Sequence, residues 1–315
     1  MTDVPLRLHF VWTGSRFPYF ARLAVESAMV AMPDASIDVN VIGDRPASEH
    51  FEEVAAAPQV EVVHWRADTL FDACPGGAAP YRELLGRIPG DSPAAISNLA
   101  RLAILFRRGG VYLDTDVIVL RRLHDPDRHG AYVGAERVWS ANRRRVAHGL
   151  GAADTVQAVP WAARWAACRF DAALARGRLG LANRISSGGH TRLQINNAVI
   201  GAPAESGFVA LALEHALDVD PTVRFALGPN LLDDVAAALP SAVTVVPPSR
   251  FYAVPPGESY RLFSDRTLEL PADAQVMHYV ASNHRRLLRG LEPDDHRFES
   301  GTAPFWRHAR RVRSA

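Results

Sequence analysis

The chain has 315 residues, 48% of them hydrophobic and 22% charged, with a formal net charge of +1. That length allows about two domains of roughly 150 residues or one large α/β domain, and the composition excludes disorder, collagen and coiled coil as whole-chain answers. All 35 basic residues are Arg, so there is no Schiff-base lysine, no pyridoxal phosphate anchor and no Walker A motif, and the near-neutral charge shows no global bias towards nucleic acid.

Residues 6–12 (Leu-Arg-Leu-His-Phe-Val-Trp) are apolar and aromatic and read as a first buried strand that ends at Thr13-Gly14. From Pro18 to Met32 the apolar residues recur at helical spacing, and Pro33 stops the run. Residues 38–42 and 60–63 are two further short strands, and strands alternating with helices imply a parallel α/β sheet. The Pro- and Gly-rich stretch from Cys74 to Pro80 reads as a loop. A strong helix follows, with Asp91 or Ser92 as N-cap and Pro93 at the first helical position. Ile96, Leu99, Ala103 and Phe106 form its apolar face, Arg107 and Arg108 suit the last turn, and Gly109-Gly110 supplies the stop. Val111 to Leu113 is a buried strand leading into Asp114-Thr115-Asp116, and residues 117–120 are apolar again. The second half is less regular: strands at 131–133, 195–200, 243–246 and 276–279, helices at 160–175, 205–217 and from Gly228-Pro229 to about 239, and an Arg-rich tail after Leu291 with a terminal helix.

Asp114 and Asp116 are the centre of the functional reading. Two carboxylates two residues apart at the exit of a buried strand are costly unless something neutralises them, and a hard divalent cation does so through oxygen ligands while leaving room for substrate phosphates. The helix just before them places Asn98 and Arg101, three residues apart, on one face. A guanidinium beside a cation site suits a diphosphate.

Ser97-Asn98-Leu99-Ala100-Arg101, then Leu105, then Gly109-Gly-Val-Tyr-Leu-Asp-Thr-Asp116 resembles the sugar-binding region of DXD glycosyltransferases, most closely glycosyltransferase family 32 with its capsule-type members, and more distantly the clostridial glucosylating toxins. Residues 9–14 (His-Phe-Val-Trp-Thr-Gly) look like that family's opening strand, and Gly228 to Leu232 and His278 to Ser282 are looser matches. The resemblance implies an α/β GT-A fold: a single domain over 1–315, with a nucleotide-sugar half (1–125), an acceptor half (126–290) and a C-terminal tail (291–315). It implies Mn²⁺ or Mg²⁺, a UDP- or GDP-sugar donor and retention of anomeric configuration. By the same resemblance Trp12 would stack on the base, and Ser97, Asn98 and Arg101 would face the donor. Tyr112 would line its pocket, Asp114 and Asp116 would hold the ion with His278 as third contact, and Ser282 would reach the diphosphate. The chain departs from the family in two places: Asn98 stands where Asp is common, and the Trp that closes the family's last motif is missing, Asn283 and His284 following Ser282.

Other residues are more open. Glu136 faces the sugar or acceptor, as a candidate catalytic carboxylate, or is a surface residue; Asn196 and Asn197 bind hydroxyls or cap a turn. The basic tail with Phe305 and Trp306 suits a solvated terminal helix, the favoured reading, or a peripheral contact with an anionic membrane. No run of about 18 apolar residues predicts a transmembrane helix, no secretory signal is recognised, and two cysteines, Cys74 and Cys168, fit a reducing cytoplasm. The acceptor is open among glycans, lipid-linked glycans and small natural products. A non-catalytic nucleotide-sugar or glycan-binding protein on the same scaffold is the alternative. A haloacid-dehalogenase-type phosphatase is disfavoured because it wants its Asp pair near the chain start and a downstream Lys.

Overall fold

A computed structural model describes residues 6–90, 92–139, 191–223 and 225–315, together with 166, 167 and 170. Its centre is a seven-stranded sheet. The strands are β1 (Arg7–Trp12), β2 (Ser36–Ile42), β3 (Val60–Trp65), β4 (Gly110–Leu113), β6 (Tyr132–Trp139), β7 (Thr191–Ala202) and β8 (Thr244–Val246), in the order β3-β2-β1-β4-β7-β6-β8. A two-stranded antiparallel sheet pairs β5 (Val117–Val119) with β9 (Val276–His278). β3, β2, β1 and β4 run parallel, and β7 is antiparallel to both β4 and β6. This is the Rossmann-like mixed α/β sheet expected of the GT-A class. The alternation of strand and helix correctly implied parallel pairing for the first half. It could not show the reversal at β7, because strand direction is decided by tertiary contact.

The sheet is covered on both faces, as its near-continuous apolar strands require. Leu8, Phe10, Val111, Leu113 and Val199 pack towards the Tyr19–Ala31 helix. Tyr112, Ile200 and Ala202 pack towards the helices Pro93–Arg108, Gly207–Asp218 and Leu231–Ala238. A third cluster joins Ile118, Met277 and Tyr279 to the terminal helix Pro304–Arg313. Phe305 and Trp306 are buried in that cluster and Arg310 donates to the carbonyls of Phe298, Glu299 and Gly301, so the tail's aromatics face the protein core. Among the described residues no helix is long and apolar enough to cross a membrane.

Several boundaries differ from the sequence reading. The segment read as a loop from Cys74 to Pro80 runs into a helix at Ala78–Arg87, because a proline in the first turn leaves helix hydrogen bonding intact. The Pro93–Arg108 helix starts where predicted, with Pro93 at its first position, but the side chain of Ser92 makes no capping bond. β6 runs on past Val133 through Glu136 and Arg137 to Trp139, so polarity hid its length. Of the helix predicted at 160–175 only residues 166, 167 and 170 are described, and these are helical; Cys168 lies outside the described residues.

Gly109 and Gly110 are demanded by the fold at the turn that launches β4. Their φ values are +62° and +96°, a region that side chains other than Gly rarely tolerate. A Cβ on Gly109 would lie 2.6 Å from the Ala204 nitrogen, and one on Gly110 would lie 2.5 Å from the Arg7 carbonyl oxygen.

Candidate metal centre

The parallel pairing of β4 beside β1 aims Asp114 and Asp116 out of the end of the sheet. The pairing of β5 with β9 puts His278 opposite Val117, one residue from Asp116. One ligand atom from each of Asp114, Asp116 and His278 lies within 4.8 Å of the others. Two hard carboxylates and an imidazole so spaced form a donor set that suits a divalent cation.

Each member is held by its own partners. His278 Nε2 is 3.3 Å from Asp116 Oδ1. The Ala281 N–H donates to Asp116 Oδ2 at 2.8 Å, and the Tyr279 N–H donates to the Asp116 carbonyl at 3.1 Å. The chain reaches that geometry through Val280 at φ +53°, where a β-branched residue is strained; such strain persists where surrounding contacts over-determine it. Asp114 accepts from the Tyr112 hydroxyl and lies 3.0 Å from Arg101 Nη2 on the same oxygen, Oδ1.

The electrostatics follow from these contacts. Burial raises the Asp114 carboxyl above the ordinary range, Asp116 adds to that, and Arg101 opposes it. Burial also works against charge on Asp116, but His278 and the Ala281 N–H outweigh it and the net direction is down. His278 is penalised by burial yet lifted to about 9 by the Asp116 carboxylate, with Asp114 and Glu136 adding to the effect. Two negative and two positive groups therefore face one another, and a cation entering here would take the place of the imidazole's proton, since a ligating imidazole is neutral.

Arg101 differs from expectation. Its helix face, polar in the sequence, is buried against β7, and the residue is 4% exposed. The cause is a break in the β6–β7 register: Val133 pairs with Ile200 and Gly134 with Asn196, so residues 197–199 leave β6. Asn196 Oδ1 accepts from the Ala198 N–H at 2.7 Å and so caps this bend. Asn197 turns to the helix, its Nδ2 donating to Asn98 Oδ1 at 2.8 Å and its carbonyl accepting from Arg101 Nη1 at 2.5 Å. Ser97 accepts from the same guanidinium. Gly228 packs against this pair; a Cβ there would sit 2.8 Å from Asn98 Nδ2 and 3.0 Å from Asn197 Nδ2.

Ser97, Arg101, Tyr112 and Asp114 are thus linked by direct contacts, Asn98 joins them through Asn197, and the paired Asp116 and His278 each bring a ligand atom within 4.8 Å of one on Asp114. Glu136 is buried on β6, close enough for its charge to act on His278 and Tyr252. Trp12 ends β1 with its indole N–H on the Gly14 carbonyl and its ring edge on Phe17 at 5.0 Å. Ser282 is exposed in the single turn at Ala281–Asn283. Sequence reasoning missed two contributors. One is the Ala281 N–H, which as a backbone donor leaves no mark in a sequence. The other is Tyr252, fully embedded, with its ring 5.7 Å from that of His278 and its hydroxyl accepting from the Val199 N–H at 2.9 Å.

No curated protein sequence matches the chain. Among solved structures it is similar to the PaToxG glycosyltransferase, at 15% identity over 75% of this chain and 70% of that one, with a TM-score of 0.46. It is similar to the UDP-bound glycosyltransferase domain of the YGT toxin, at 11% identity over 76% and 79% with a TM-score of 0.43. It is also similar to the galactosyltransferase LgtC in complex with donor and acceptor sugar analogs, at 14% identity over 93% and 99% with a TM-score of 0.40. Residues 80–136, the stretch that carries Arg101, Tyr112, Asp114 and Asp116, match the family model described as the glycosyltransferase sugar-binding region containing DXD motif.

Proposed function

We propose that the protein is a metal-dependent glycosyltransferase that moves a sugar from a UDP- or GDP-sugar to an acceptor hydroxyl with retention. The observation that carries this reading is the convergence of Asp114, Asp116 and His278 at the end of the segment that matches a DXD sugar-binding region. Residues 1–125 are the nucleotide-sugar half, with Trp12 to stack on the base. Residues 126–290 are the acceptor half, and 291–315 the tail.

Asp114, Asp116 and His278 would hold Mn²⁺ or Mg²⁺, which when bound offsets the charge developing on a departing diphosphate. The anomeric carbon–oxygen bond to the diphosphate breaks, the acceptor oxygen bonds that carbon on the same face, and its proton passes to the departing phosphate oxygen. Glu136 is the candidate carboxylate on the acceptor side. Tyr112 keeps its proton, because burial raises the phenol far above its ordinary range, so it donates to Asp114 at any physiological pH.

The test is release of nucleoside diphosphate from a panel of UDP- and GDP-sugars with Mn²⁺, with Mg²⁺ and with EDTA. One donor is expected to be hydrolysed slowly in a metal-dependent way, and Asp116→Asn should abolish this while the circular dichroism spectrum stays unchanged. Unaltered turnover in Asp116→Asn, or neither binding nor hydrolysis of any donor, would overturn the proposal. Binding without turnover in the presence of acceptors would favour a binding protein on this scaffold.

A further inference from the structure

We propose that His284 is a positioning residue: through Ser259 it fastens the loop that carries the Ala281 N–H, and so sets how Asp116 is presented to a cation. This rests on the metal-dependent reading above. The loop leaves β9 after His278 and is tied to Asp116 on its near side. The Tyr279 N–H donates to the Asp116 carbonyl at 3.1 Å and the Ala281 N–H to Asp116 Oδ2 at 2.8 Å. Between those two bonds stands Val280 at φ +53°. A β-branched residue in the left-handed region relaxes when released, so the bond from Ala281 depends on contacts that keep Val280 there.

The far side of the loop supplies that restraint. Ala281–Asn283 is a single turn, closed by the Asn283 N–H on the Val280 carbonyl and the His284 N–H on the Ala281 carbonyl, both at 2.9 Å. Whatever holds Asn283 and His284 therefore holds the turn. His284 Nε2 lies 2.9 Å from Ser259 Oγ, and Ser259 is 1% exposed. The Ser259 hydroxyl donates its one proton to the Pro256 carbonyl at 3.0 Å, so the imidazole is the donor to Oγ. Asn283 Nδ2 donates to the same carbonyl at 3.0 Å and to the same hydroxyl at 3.4 Å. The imidazole also packs on Phe263, with 4.5 Å between centroids, and Phe263 packs in turn on Tyr279. A buried hydroxyl on one segment thus grips two consecutive residues of another. Those two residues stand where the chain departs from the closing motif it resembles, so hydrogen bonds here replace the missing indole as the loop's anchor. Partners that orient a metal ligand commonly control metal affinity about 10–100-fold.

His284→Ala removes the donor and the ring, His284→Gln keeps an N–H near the Nε2 position, and Ser259→Ala removes the anchor. Amide hydrogen exchange, read by mass spectrometry on peptides spanning 276–284, follows the loop in the metal-free protein. Electron paramagnetic resonance of the free aqua ion follows Mn²⁺ titrated into each protein, with and without saturating UDP or GDP. We expect both alanine variants to speed exchange in this stretch and to bind Mn²⁺ about tenfold more weakly, and His284→Gln to recover most of both losses. If His284→Ala does not fold, Ser259→Ala carries the test, since it deletes a single oxygen. Mn²⁺ affinity within about twofold of wild type in the folded alanine variants overturns the proposal, because the contact is then structural only. Weaker Mn²⁺ binding with unchanged exchange overturns it too, because His284 then does not act through the loop. So does a His284→Gln variant no better than His284→Ala. A wild type that binds no Mn²⁺ with either nucleotide removes the metal-dependent reading and this assignment with it.

Discussion

Asp38 offers a prediction that can be worked from the structure. It sits in β2 in register with His9 of β1 and is 1% exposed. Arg7 Nη1 donates to its two oxygens at 3.2 and 3.1 Å, Arg108 Nη1 to Oδ2 at 2.7 Å, and His9 Nδ1 lies 3.3 Å from Oδ2. His9 Nε2 in turn bonds the Gly109 carbonyl at 2.8 Å. One carboxylate thus ties two strands to the end of the Pro93–Arg108 helix and to the turn that launches β4. Burial works against its charge, but His9, Arg108 and Arg7 outweigh burial and hold the carboxyl at about 2 instead of 3.8. Holding the carboxyl there instead of at its ordinary value corresponds to roughly 2–3 kcal/mol. Because the folded value is the lower one, this stability is complete above about pH 4 and is lost as pH falls towards 2. Asp38→Asn should therefore lose about 2 kcal/mol at pH 7, with Arg7 and Arg108 partly exposed and so able to regain water, which keeps the loss below the 3–5 kcal/mol of a fully buried broken pair. Urea denaturation of both proteins between pH 7 and pH 2.5 checks it. The gap between wild type and variant should close below about pH 4. A gap that is absent at pH 7, or constant down to pH 3, would refute the reasoning.

Two further predictions use glycines of opposite character. A Cβ at Gly134 would lie 2.4 Å from Tyr252 Cε2 and 2.7 Å from Phe251 Cδ2, both rings buried, so Gly134→Ala should cost about 1–3 kcal/mol by overpacking and lower the melting temperature. Since Tyr252 packs on His278, the same variant should also weaken Mn²⁺ binding; an unchanged melt with unchanged metal affinity would show that the rings move aside freely. Gly86, exposed in the Ala78–Arg87 helix with nothing within 4 Å of where a Cβ would sit, should behave in the opposite way. Gly86→Ala is expected to raise stability by about 0.5–1 kcal/mol without touching activity, and a thermal melt reads the sign directly.

How much of this was legible in the sequence depends on what kind of group carries each feature. The helix before β4 was legible because Pro93, the apolar spacing and Gly109-Gly110 all act locally, and local rules survive in one dimension. Asp114 and Asp116 were legible because a charged pair against a buried strand is costly wherever the strand ends up. His278 entered only through resemblance, since its place beside Asp116 depends on β5 pairing with β9 across more than 150 residues. The burial of Arg101 was not legible at all. On the helix it reads as part of a polar face, and only the departure of residues 197–199 from β6 brings a carbonyl and an amide to meet it. The same applies to the Ala281 N–H and to the left-handed Val280 that aims it: a backbone donor has no residue type, and strain has no composition. The two carboxylates that would hold a cation are thus visible in the sequence, while the groups that contact them, Arg101 beside Asp114 and the Ala281 N–H on Asp116, come from chain segments whose meeting only the folded sheet decides. If metal affinity in this protein is governed by orientation more than by ligand identity, substitutions at those silent positions will weaken it as surely as loss of a carboxylate.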